Sequence, residues 1–248
     1  MKTINSYSPN QSLLKDRVIL VTGASGGIGA EAAKTYASHG ATVILLGKTI
    51  PKLEAVYDEI VKNNNPEPAI YPLDLEGANY DHYMELAQNI ENEFGHLDGV
   101  LHNAAHLGAR MMLEQYDLKL WARVMQINLT APFLLSRAII PLLRKSRDAS
   151  VIFTSTKVAH EGAAYWGAYS VSKAGADNLM QVMADELEVN TSIRVNSIDP
   201  GVVATKMRRL AFPGEDPSQI PTPKDIMQPY LYLMGPDSKN ENGQIFTP

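Results

Sequence analysis

Six short, β-branched runs recur along this chain, at 18–23, 42–47, 69–75, 97–104, 150–156 and 193–198. Their apolar residues are consecutive instead of alternating, so each run must bury both of its faces. Helix-length segments fill the intervals at about 27–39, 50–63, 79–94, 116–145 and 168–189. Strands spaced by helices pair in parallel through right-handed crossovers, with helices covering both faces of the sheet. The expected fold is therefore α/β, a doubly wound parallel sheet. Residues 244–247 offer a last strand. Without a linker, low-complexity tract or solenoid repeat, the 248 residues read as one domain. The stretch 212–223 carries four of the fifteen prolines and reads as a surface loop; with the residues before it, 206–223 becomes a candidate substrate-side loop or lid.

Composition narrows the function classes. Cysteine is absent, which excludes disulfides, thiolate zinc sites and a cysteine nucleophile. The net charge of −5 offers no electrostatic reason to bind nucleic acid. The longest runs without Asp, Glu, Lys or Arg are 13 residues, as at 35–47, shorter than the ~20 of a membrane helix. No apolar segment follows Lys2, so no cleaved secretion signal is expected, and a cytoplasmic location is.

The first strand runs into Thr22-Gly23-Ala24-Ser25-Gly26-Gly27-Ile28-Gly29 and then a helix. Glycines there permit a tight turn and close backbone approach to a pyrophosphate, toward which the helix N-terminus aims its amides. Gly23, Gly27, Ile28 and Gly29 are thus candidate dinucleotide contacts. Dinucleotide sites for NAD place a carboxylate at the end of the second strand. Here that end reads Leu45-Leu46-Gly47-Lys48, without a carboxylate and with a cation just beyond. Lys48, assisted by Ser25, would attract a 2′-phosphate, which favours NADP(H) over NAD(H); the alternative is a solvated surface lysine.

Tyr169 and Lys173 stand four apart in a helical segment and so share a face. An ammonium ~4 Å from a phenol at an effective dielectric of ~20 offers about 4 kcal/mol to the phenolate, enough to lower its pKa by up to ~3. Such a phenol could exchange a proton with a carbonyl oxygen near neutral pH. Taken alone, the pair is also common on helix surfaces. His102, His106 and His160 match no metal-ligand spacing, and no metal is expected. His106 and His160 each follow a strand and are candidates for the substrate side.

Together these residues resemble the short-chain dehydrogenase/reductase family over about 230 residues. The matching residues are Thr22-Gly23-x-x-x-Gly27-x-Gly29, Asp74-Leu75, Asn103-Ala104-Ala105, Asn128, Tyr169-x-x-x-Lys173 and Pro200-Gly201-x-x-x-Thr205. Trp166-Gly167-Ala168-Tyr169 and the run from Phe212 to Met227 are similar to the family's bacterial YciK-like branch. The resemblance implies a Rossmann-type sheet of about seven strands, a nicotinamide cofactor and hydride transfer. It implies Tyr169 as acid/base and Lys173 as the group that lowers its pKa and holds the ribose. Asn128 would complete a proton relay through water. Asp74 and Leu75 would meet the adenine, Asn103 would brace the sheet beside the adenosine, and Thr205, after Pro200-Gly201, would meet the carboxamide. The family's catalytic serine position holds Thr156, which keeps the hydroxyl and adds a methyl. Asn103-Ala104-Ala105 likewise adds a methyl where the family has glycine.

The expected function is an NADP(H)-dependent oxidoreductase acting on a small-molecule carbonyl or alcohol. Alternatives are a 3-oxoacyl thioester reductase, with Arg208 and Arg209 as a basic patch for a carrier protein, and a non-catalytic NADP-binding sensor. A homodimer or homotetramer is expected on family grounds, with Leu134, Leu135, Ile139, Leu142, Leu179, Met180 and Met183 as candidate interface residues.

Overall fold

In β2 (Val18–Thr22), alternate residues serve two different cores. Val18 and Leu20 join one apolar cluster, and Ile19 and Val21 join another on the opposite side of the sheet. This two-sided burial is what the unalternating apolar runs demand. The computed structural model describes residues 1–4 and 6–248. Its elements run β1 (Lys2–Thr3), β2, α1 (Gly27–Ser38), β3 (Thr42–Gly47), α2 (Ile50–Lys62), β4 (Ala69–Pro72), α3 (Tyr80–Phe94) and β5 (Gly99–His102). There follow α4 (Leu118–Met125), a π-turn (Gln126–Thr130), α5 (Ala131–Leu143), β6 (Ala149–Thr154), α6 (Lys157–His160), α7 (Gly167–Glu188), β7 (Ile193–Ile198), α8 (Lys206–Ala211), α9 (Met227–Met234) and β8 (Ile245–Thr247).

All strands are parallel, in the order β1-β8-β7-β6-β5-β2-β3-β4. The eighth strand, beyond the seven expected, is β1, whose Lys2 and Thr3 pair with Phe246 and Thr247. Two exposed residues carry no periodic signal. From β2 the chain builds outward to β4, then crosses back to β5 on the other side of β2. The connections leaving β2 and β5 therefore diverge, and they open a crevice at the carboxyl ends of the strands, where open α/β sheets take their ligands.

Local signals set several boundaries. Asn79 caps α3 by accepting from His82 N, and Gly95, at φ +76°, ends it in the left-handed region. The segment expected as one helix over 116–145 carries a π-turn at Gln126–Thr130, within which Asn128 is buried. The run Leu118–Leu143 has the length and mean hydropathy (1.3) to cross a membrane, but it packs Leu135, Ile139 and Leu142 into the core.

That packing corrects the interface expectation. Leu135, Ile139, Leu142, Met180 and Met183 are buried in this chain's own core, and Leu134 and Leu179 pack against it. The outward faces of α5 and α7 instead carry Phe133, Val171 and Val182, each nearly half exposed.

Candidate functional site: a dinucleotide crevice joined to a buried tyrosine

Gly23 (φ +69°) and Gly27 (φ +56°) adopt left-handed backbone conformations that other residues reach only with strain. A Cβ on Gly23 would also stand 2.9 Å from Ala104 Cα. Gly29 lies beneath the loop, where a Cβ would stand 2.6 Å from Asn103 Nδ2. A Cβ on Gly26, by contrast, would meet nothing within 4 Å. No side chain caps the first turn of α1, so its amides face the open cradle. Uncapped amides at a helix N-terminus suit a pyrophosphate, and the residues present fit that group.

At the tip of β3, Ser25 Oγ lies 3.5 Å from where a Gly47 Cβ would be, which brings the glycine loop to the strand end. Lys48 Nζ stands 3.9 Å from Asp74 Oδ2, both side chains being exposed. Lys52, on α2, joins the same wall and was not singled out from the sequence. Its signal was a second lysine four residues after Lys48, in the first turn of α2.

One cavity of about 460 Å³ runs from this cation pair to Tyr169. It is lined by Gly23, Ser25, Gly27, Ile28, Lys48, Asp74, Leu75 and Asn103 toward the dinucleotide end. Thr156, Tyr169, Lys173, Pro200, Gly201 and Thr205 line the remainder. Two expected residues lie behind the wall. Gly29 forms the floor of the loop, and Asn128 is a buried brace. The Asn128 amide accepts from His106 N (2.7 Å) and donates to His106 O and Ser172 Oγ (3.0 Å each). Asn103 bridges three strands: its backbone N–H donates to Thr22 Oγ1 (3.0 Å), and its Oδ1 accepts from Thr154 Oγ1 (3.4 Å).

The tyrosine end is set by burial. Lys173 donates to Thr154 O (2.8 Å), and burial pushes its ammonium down to about 8 against the opposing pull of the Asp177 carboxylate. Burial, with the negative charge of Asp199 adding to it, pushes the Tyr169 hydroxyl up to about 12. The direction is opposite to the lowering expected from Lys173, because desolvation disfavours the phenolate. Asp199 accepts from Gly201 N (3.0 Å), and its own carboxyl is raised, mainly by burial. Thr156 starts α6, but its hydroxyl does not cap that helix. Thr205 does cap α8, accepting from Arg208 N (3.1 Å).

The histidines separate. His102 is buried against Ser136 Oγ (2.9 Å). His106 lines the cavity and accepts from Gly108 N on Nδ1 (2.9 Å), so its neutral ring carries the proton on Nε2. His160, expected on the substrate side, turns instead to Ser155 Oγ (3.4 Å) and Asp177 Oδ2 (3.6 Å). Asp177 also accepts from Ser155 and from Ser197 Oγ (2.8 Å), a buried network behind Lys173.

The stretch expected as a loop over 206–223 begins with α8, and Met207, Arg208, Ala211 and Phe212 form cavity wall. Arg208 makes a two-pronged ion pair with Glu215 (2.6 and 2.7 Å), so it is not the free cation of a carrier-protein patch.

Known proteins share this chain's sequence pattern and fold. The short chain dehydrogenase family pattern matches residues 17–216. The uncharacterized oxidoreductase YciK of Escherichia coli K12 is 48% identical over 97% of this chain and 94% of its own. A solved Pseudomonas syringae protein described as a short chain dehydrogenase is 52% identical, with a TM-score of 0.96 over 98% of each chain. Another, from Escherichia coli CFT073 and complexed with NADPH, is 48% identical, with a TM-score of 0.94 over 96% of this chain and 99% of its own. The chain belongs to the short chain dehydrogenase family.

Proposed function

We propose that this dehydrogenase uses NADP(H) to interconvert a carbonyl compound and its alcohol, with Tyr169 as general acid and base. The observation that carries the reading is the single cavity that joins the uncapped α1 amides and Lys48 to Tyr169, Lys173 and Thr156. The NADPH complex of a 48% identical neighbour supports the choice of cofactor. Ser25, Lys48 and Lys52 would hold the 2′-phosphate, the glycine loop the pyrophosphate, and Asp74 with Leu75 the adenine. Pro200, Gly201 and Thr205 would border the nicotinamide, and Lys173 its ribose. When bound, the nicotinamide supplies or accepts the hydride.

The chain handles the proton. With its hydroxyl pushed up to about 12, Tyr169 stays protonated at neutral pH, the form that donates to a carbonyl oxygen. This supplies the proton that reduction requires near pH 7. The Thr156 hydroxyl, free of capping duty, orients that oxygen. Lys173 carries its charge below about pH 8 and steadies the oxygen anion left on Tyr169. Asn128 holds the His106 segment in place beside them. The test is turnover of ketones, aldehydes, quinones and acyl thioesters with NADPH and NADH in parallel. NADPH-dependent reduction of at least one carbonyl class is expected; tight NADPH binding with no turnover of any class would overturn the reading in favour of a sensor.

A further inference from the structure

Three segments distant in sequence meet at the far end of the cavity around one guanidinium. Arg110, in the connection after β5, places its Cζ 4.8 Å from the Trp166 ring centroid and 4.8 Å from that of Phe212. Its Nη1 donates to Ala211 O (2.5 Å), the last residue of α8. The Trp166 and Phe212 rings are 5.9 Å apart, and Trp166 is again 5.9 Å from the ring of Tyr169. Arg208 also lies 3.7 Å from the Phe212 centroid and is paired with Glu215. Trp166, Ala211 and Phe212 are cavity wall, whereas Arg110, an exposed residue, is not.

We infer that Arg110 is a positioning residue that holds Trp166 and Phe212 as a flat apolar wall beside Tyr169, and that the site selects a neutral carbonyl compound bearing an aromatic group. This inference rests on the reductase reading and deepens it. A guanidinium stacked on aromatic rings is attracted to both faces while its edge remains free to hydrogen-bond. Arg110 meets those terms with two rings and one carbonyl, and so ties α8 to the segment that leads into α7. Both rings that it holds are cavity wall. Arg208, itself cavity wall, is spent on Glu215, and Lys206 lines the cavity next to Thr205. The two rings carry no charge to hold an anionic substrate, and the guanidinium of Arg208 beside them is already paired with Glu215.

The experiment compares Arg110→Ala, Arg110→Lys and the parent enzyme on an aryl methyl ketone, the same ketone carrying a ring carboxylate, and a short aliphatic ketone. Arg110→Ala should raise KM for the neutral aryl ketone about ten-fold. It should leave kcat within about two-fold and barely alter the aliphatic ketone. Arg110→Lys, which retains the charge but not the planar stack, should recover only part of the loss. In parallel, equilibrium binding of the aryl ketone to NADP⁺-loaded protein is read by Trp166 fluorescence in a Trp121→Phe background. The same ten-fold weakening is expected there, so the inference is decided even if no carbonyl is turned over and the reductase reading falls. An unchanged aryl-ketone affinity in Arg110→Ala would overturn it. So would a preference for the carboxylate ketone that disappears in Arg110→Ala, because Arg110 would then be an anion contact.

Discussion

The two ends of the cavity are built in opposite ways. The dinucleotide end is made of backbone: consecutive residues from Gly23 to Gly29, uncapped amides and exposed cations at the tip of β3. The tyrosine end is made of buried side chains from β6, α7 and the turn after β7, and their proton affinities are set by what surrounds them. The difference teaches which changes matter at each end. In the cradle a methyl group is decisive, and at Tyr169 the environment of a single oxygen is.

The sharpest break is Tyr169→Phe. Turnover should fall by about 10²–10⁴-fold. NADPH binding, read by fluorescence, should stay within two-fold of the parent. Loss of both together would mean the two ends are not separable.

Two glycines sharpen the comparison from the other side. Gly29→Ala puts a Cβ 2.6 Å from Asn103 Nδ2 and into Gly23 O, and should cost about 1–3 kcal/mol in urea unfolding. Gly26 has extended backbone and open space around its Cβ position. Gly26→Ala should therefore change stability by less than about 0.5 kcal/mol while weakening NADPH, since the methyl projects into the cradle. Lys48→Ala should weaken NADPH by about 10- to 100-fold, NADH being unaffected, in titrations at fixed ionic strength.

The smallest effect tests the electrostatics of the tyrosine end. Burial raises the Tyr169 pKa, and the negative charge of Asp199 adds to it. Asp199→Asn keeps an oxygen for Gly201 N but removes the charge, so the phenolate forms at lower pH. Alcohol oxidation, which needs the phenolate, should gain about two- to five-fold at pH 8, and its rising limb should move toward neutrality. Reduction should decline above about pH 8 in both proteins as Lys173 loses its proton.

The glycine loop was legible because its demands fall on neighbouring residues: two positive φ angles and two close approaches within seven positions. Lys48 was legible because a strand end without a carboxylate is a local fact. The four-residue spacing placed Tyr169 and Lys173 on one helix face, but it did not reveal that Lys173 reaches Thr154 O on β6. Burial reverses the sign of the expected Tyr169 shift, and burial is a property of the packed molecule. The apolar positions of α5 and α7 read equally well as interface or core, since periodicity shows that a face is buried and not against what.

From residue order alone came the parallel sheet between helix layers, the dinucleotide loop and the tyrosine–lysine pair, because these rest on backbone conformation and on contacts within a few residues. Folding alone decided that Asn128 braces His106, that His160 turns away from the cavity, and that Arg110 lies between Trp166 and Phe212. Those contacts join segments tens of residues apart, and their energies depend on the water excluded when the segments meet.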